Sequence, residues 1–157
     1  MSTSGPANAL DALRGVALSR DAEQRGRTRV VVQVGHCSQS VEAREVAEAL
    51  AHSLPDRSHL VVAGCDGACH LAPQVLINSR DGRNFRLSRV SPANVGDIAN
   101  QLADETIRIP STDNAFFDPQ QRILLSGCGE ADPVDLDEYL LPGGFVGLSK
   151  ALEMTPE

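Results

Sequence analysis

Apolar residues fall along this chain in short blocks whose period switches between helical and extended. From Ala7 to Gln24, Leu10, Leu13 and Val16 recur at three-residue steps, which predicts an amphipathic helix. Arg29-Val-Val-Val-Gln-Val34 is short and β-branched, a buried strand that Gly35 ends. Ser38 to Leu54 sets Val41, Val46, Ala49 and Leu50 among alternating Glu and Arg, so a helix packed on one face is expected, closed by Pro55. His59-Leu-Val-Val-Ala63 reads as a second strand, and Gly64 opens a loop. Gln74–Ser79 and Phe85–Val90 are further strands, with Asp81-Gly82 between them as a hairpin signal. Ser91-Pro92 then starts a helix running to about Ala103, with serine as cap and proline in the first turn.

The core order is therefore β-α-β-β-β-α, preceded by one helix. A crossover unit followed by a hairpin and a closing helix predicts an α/β fold of the thioredoxin-like sandwich type. After Arg108 comes a polar, proline-bearing stretch, then Phe116-Phe117 and the apolar run Ile123-Leu124-Leu125. Asp132-Pro133 starts a helix over Val134–Leu141, Pro142-Gly143-Gly144 stops it, and Phe145–Leu152 makes a last one. Thr155-Pro156-Glu157 has the pattern of a further helix start, so the chain is expected to lead into another element, its own or a partner's.

Composition narrows the function. The 157 residues suit one ordinary domain, or a small domain with an appendage. A net charge of −7 disfavours tracking of nucleic-acid phosphates, and 3% aromatic residues leave little for base stacking. No run approaches the ~20 apolar residues of a membrane span, and no apolar leader opens the chain. A cytoplasmic protein is expected. Residues 104–157 carry three bases against eleven acids, net −8, so nearly all the acidity lies in the last third. That shift divides the chain into an N-terminal start and helix (1–28), the domain proper (29–103), and an acidic helical connector (104–157).

Four cysteines, Cys37, Cys65, Cys69 and Cys128, then carry the chemistry. In a reducing compartment they point to metal or redox work rather than a disulfide framework. Cys65-Asp-Gly-Ala-Cys69 places three residues between two thiols in a glycine-bearing loop, a spacing that brings both to one metal or cluster. It is not the two-residue spacing of a dithiol oxidoreductase. Cys37 follows the first strand, and loops after crossover-linked strands lie side by side, so Cys37, Cys65 and Cys69 are expected as neighbours. His36 and His70 flank cysteines and are candidates to complete a zinc tetrahedron, or are simply solvated. Cys128 reads as a buried or incidental thiol. Glu130, Asp132, Asp135, Asp137 and Glu138 read as an acidic helix start rather than a calcium loop. No nucleophile triad and no phosphate-cradling glycine motif is present, so no catalytic residue and no nucleotide site is assigned.

These residues carry a resemblance. Gly64-Cys-Asp-Gly-Ala-Cys-His-Leu-Ala-Pro73, then Asp81-Gly82 and Val90-Ser-Pro-Ala-Asn-Val95, resemble the thioredoxin-like 2Fe-2S domain of NADH-oxidising flavoprotein (diaphorase) subunits. Those subunits belong to respiratory NADH dehydrogenase, NAD-reducing hydrogenase and NAD-dependent formate dehydrogenase. The tail is the more specific half. Gln121-Arg-Ile-Leu-Leu-Ser-Gly-Cys-Gly-Glu-Ala-Asp-Pro133, Asp137-Glu-Tyr139, Gly143-Gly-Phe145 and Leu152-Glu-Met-Thr-Pro156 are similar to the segment joining that domain to the FMN- and NADH-binding domain. The likeness runs in order over about residues 30–157. It implies a 2Fe-2S cluster held by two cysteine pairs, with Cys37, Cys65 and Cys69 matching three ligands and His36 a candidate fourth. The remaining ligand position falls on Val32, which has no donor atom.

The resemblance implies an electron-transfer or scaffold domain of an NADH-dependent oxidoreductase complex. FMN and NAD belong to a flavoprotein partner or to a domain not encoded here, and any membrane association is peripheral, through the complex. A metal-free interaction module that has lost the cluster is the alternative, and a structural zinc site the third.

Overall fold

The computed structural model describes residues 6–108 and 116–155. Contacts group the chain into two units, residues 26–131 and residues 1–25 with 132–157.

In the first unit the elements are β1 (Thr28–Gln33), α2 (His36–Gln39), α3 (Ala43–Ser53), β2 (Ser58–Ala63), β3 (Val75–Asn78), β4 (Asn84–Leu87) and α4 (Val95–Ala103). Four strands form one sheet in the order β2-β1-β3-β4. β1 runs parallel to β2, while β3 is antiparallel to both β1 and β4. A parallel neighbour reached through helices, and antiparallel neighbours reached through a hairpin, define a thioredoxin-like α/β sandwich.

Period-two alternation sorts the strand residues onto two faces. Val30 and Val32 of β1, Val75 and Ile77 of β3 and Leu87 of β4 meet Val46 and Leu50 of α3 and Val95, Ile98 and Leu102 of α4 in the main core. Both helices bury residues at positions i, i+3, i+4 and i+7: Ala43, Val46, Ala47, Leu50 in α3 and Val95, Ile98, Ala99, Leu102 in α4. Val31, Val61, Ala63 and Leu76 form a smaller apolar cluster on the opposite face. The hairpin turns at Asp81-Gly82, where Gly82 at φ +84° takes a left-handed conformation. The helix expected over 38–54 is split, because Glu42 at φ +66° breaks the backbone between α2 and α3. The Ala72–Pro73 peptide is cis.

In the second unit, α1 (Pro6–Gln24) packs on α5 (Leu136–Leu140) and α6 (Val146–Leu152). The buried face of α1 is rotated from the one expected. Ala17 is fully buried with Leu10, Arg14 and Asp21 half-buried beside it, while Leu13 and Val16 are exposed. Arg14 donates to the Gly144 carbonyl at 2.8 Å and Arg20 pairs with Asp137 at 2.8 Å. The small Ala17 permits that close approach. Asp135, not Asp132, caps α5, its carboxylate accepting the Asp137 N–H at 2.8 Å. Thr155 is described without helical structure, and the rest of the expected terminal helix start lies outside the described residues. Among the described residues no helix is long and apolar enough to cross a membrane.

Candidate functional site

β1 and β2 are parallel and end together, with Gln33 paired to Ala63 in register. The loops that follow them carry Cys37 and the Cys65–Cys69 segment, and the Val34 N–H donates to the Ala63 carbonyl at 2.8 Å to hold them side by side. Parallel pairing is thus what makes neighbours of thiols 28 and 32 positions apart. The Sγ atoms of Cys65 and Cys69 lie 3.9 Å apart. Cys37 interacts with Cys69 as well, and all three thiols are free and exposed. Hydrogen bonding with Cys65, and then with Cys37, pushes the Cys69 thiol up to about 11, because it holds its proton for its neighbours.

Each cysteine is positioned by its loop. Ser38 is buried beneath Cys37, its hydroxyl accepting the Gly35 N–H at 2.7 Å, and Ser40 donates to the Cys37 carbonyl at 2.7 Å. Gly35 lies so close to Cys65 that an added Cβ would stand 3.0 Å from the Cys65 Cβ. The Gly67 N–H donates to Cys65 Sγ at 3.2 Å. Gly67 sits at φ +93°, a backbone that favours glycine.

Beneath the loop lies a buried polar network that the sequence reading did not anticipate. The Asp66 side chain is 1% exposed and pairs with Arg86 at 2.7 Å. It also accepts the Ala68 N–H at 2.9 Å and Gln74 Nε2 at 3.0 Å. Gln74 Nε2 reaches Gln33 Oε1 at 3.0 Å, and Arg86 reaches Gln74 Oε1 at 2.8 Å. Burial alone raises the Asp66 carboxyl, but the hydrogen bonds from Ala68, Gln33, Arg86 and Gln74 outweigh it and hold the group below its ordinary value. The only sequence signals were two glutamines at the ends of apolar strands and an aspartate inside the cysteine motif.

The segment from Phe116 to Ala131 completes this surround. Arg86 stacks over the Phe117 ring at 3.8 Å, and Arg122 donates to the Asp66 carbonyl at 2.8 Å. Gln33 Nε2 donates to the Gly129 carbonyl at 3.1 Å, and a Cβ at Gly129 would stand 2.6 Å from the Asp66 Cβ. Cys128, expected as a buried or incidental thiol, is exposed in the turn just before that contact. His70 is exposed and meets the edge of Phe116 at 5.1 Å.

Val32 is fully buried in the main core, and no donor replaces it there. His36 is exposed at the first position of α2. Among the described residues no group of three or more His, Cys, Asp or Glu side chains is arranged to hold a metal ion. The cavity lined by Cys65, Cys69, Gln33, Ser38 and Gln74 has about 10 Å³, about the space of one water. A 2Fe-2S cluster is larger than that space, so one bound by these thiols sits on their outer side. Three soft thiolate donors suit iron–sulfur chemistry, but among the described residues no fourth cysteine joins them to complete a four-cysteine set for a 2Fe-2S cluster.

The fold and the site together define a thioredoxin-like α/β unit with a three-thiol face at the carboxyl ends of its parallel strands. No protein-family model matches the chain, and no curated protein matches it. Among solved structures it is similar to a thioredoxin-like [2Fe-2S] ferredoxin from Aquifex aeolicus, with a TM-score of 0.45 and 20% identity, over 53% of this chain and 86% of that one.

Proposed function

We propose that this chain is an electron-transfer or scaffold domain of an NADH-dependent oxidoreductase complex, working beside a flavoprotein that holds FMN and the nicotinamide. The observation that carries the reading is the convergence of Cys37, Cys65 and Cys69 on one exposed face. The motifs around them support it through their likeness to the diaphorase 2Fe-2S domain and its connector. Because the converging cysteines stop at three, a cluster here is completed by His36 or by a group from outside the chain.

The test is anaerobic purification followed by iron and acid-labile sulfide assays. About two of each per chain support a cluster. Iron-free protein after reconstitution removes it. The burial of Val32 favours a second reading, an interaction module that carries no metal. That reading predicts that Cys65→Ser and Cys69→Ser leave assembly with a flavoprotein intact. Zinc at one equivalent per chain supports instead a structural metal.

A further inference from the structure

The geometry points to Cys65 and Cys69 as a two-electron dithiol–disulfide couple that exchanges with an external disulfide. For its physiological place this rests on the electron-transfer reading above, while its chemistry stands on the sulfur positions alone. Two Sγ atoms 3.9 Å apart are in van der Waals contact. A disulfide needs about 2.05 Å, so each sulfur must move by roughly 1 Å, within the reach of small side-chain rotations. Asp66, between the two cysteines, ties the loop to Ala68, Gln74 and Arg86.

The two thiols are not equivalent. Cys65 is exposed and accepts the Gly67 N–H at 3.2 Å, whereas Cys69 interacts with both Cys65 and Cys37. Cys65, the outer member of the pair, is the attacking sulfur. Its thiolate bonds to one sulfur of the external disulfide, whose S–S bond breaks and releases one thiolate that takes up a proton. Cys69 then gives up its proton and attacks the Cys65 sulfur of the mixed disulfide, releasing the second external thiol. The external disulfide gains two electrons and two protons, and the chain loses both in forming the Cys65–Cys69 bond. Cys37, on the neighbouring loop, is not consumed.

The experiment equilibrates the full-length, iron-free, reduced chain with glutathione buffers of increasing oxidised fraction, quenches it by alkylation and maps the thiols by mass spectrometry. The expected result is a reversible Cys65–Cys69 bridge, formed equally in Cys37→Ser. Cys69→Ser should instead trap glutathione on Cys65. Four free thiols in the most oxidising buffer, or a bridge that uses Cys37 or Cys128, overturns the proposal. Iron and sulfide measured on the same preparation separate the two readings. Protein that takes up iron but never bridges loses the couple and keeps the electron-transfer role. Protein that bridges but exchanges no electrons with a reduced flavoprotein loses the role and keeps the couple.

Discussion

Arg86 Nη1 stands 2.7 Å from Asp66 Oδ2, and their side chains are 15% and 1% exposed. This ion pair links β4 to the loop that carries Cys65 and Cys69, and it is buried under the Phe117 ring. A buried pair adds little beyond its desolvation cost while intact, but removing one partner strands the other charge. Asp66→Ala should therefore cost about 3 kcal/mol in urea unfolding. It should also bring faster hydrogen exchange at the Ala68 amide, which loses its acceptor. An unchanged unfolding midpoint would mean the network does not hold the loop.

Gly129 tests the packing of the 116–131 segment on the same network. Its φ of +86° disfavours any side chain, and a Cβ would also stand 2.6 Å from the Asp66 Cβ. Gly127, at φ +77°, has nothing within 4 Å. Gly127→Ala should cost about 1 kcal/mol of backbone strain, and Gly129→Ala clearly more, because steric overlap adds to the strain. Equal losses would show that the segment does not press on the loop.

Core packing makes a simpler prediction. Leu50 is fully buried in α3 against the sheet, so Leu50→Ala should cost about 3 kcal/mol. Leu148 in α6 is 46% exposed, and its replacement by alanine should shift stability by about 1 kcal/mol or less. Comparable effects at the two sites would contradict the burial pattern.

Val32 sits where the resemblance places a cluster ligand, yet its side chain belongs to the main core with Val46 and Leu50. Val32→Cys should add a thiol that resists iodoacetamide in the native protein, and it should leave the iron content unchanged. Rapid labelling, or a rise in bound iron, would show that position 32 opens onto the thiol face.

The regular elements were legible because each has a clean signal: β1 around the Val30-Val31-Val32 run, α3 and α4 as i, i+3, i+4, i+7 stripes. Their order was enough for the parallel β1–β2 pair and the β3–β4 hairpin, and hence for the approach of Cys37 to Cys69. Other features depended on partners that no local pattern names. Gln33, Asp66, Gln74 and Arg86 are scattered over 54 positions and meet only once the sheet is built. α1 buries Ala17 rather than Leu13 and Val16, and the bonds of Arg14 to Gly144 and of Arg20 to Asp137 are to partners more than a hundred positions away. The apolar run Ile123-Leu124-Leu125 is exposed in a turn, Leu124 at 95%, since Arg122 and Gly129 are what anchor that segment.

The central claim is that Cys65 and Cys69, with Cys37 beside them, form one thiol face while Cys128 stands apart. A trivalent arsenical, which needs two adjacent thiols, measures this directly when the reduced chain is titrated and then alkylated. The account predicts one arsenical per chain, with Cys65 and Cys69 protected and Cys128 alkylated in full. No stable adduct, or one that protects Cys128, would contradict it.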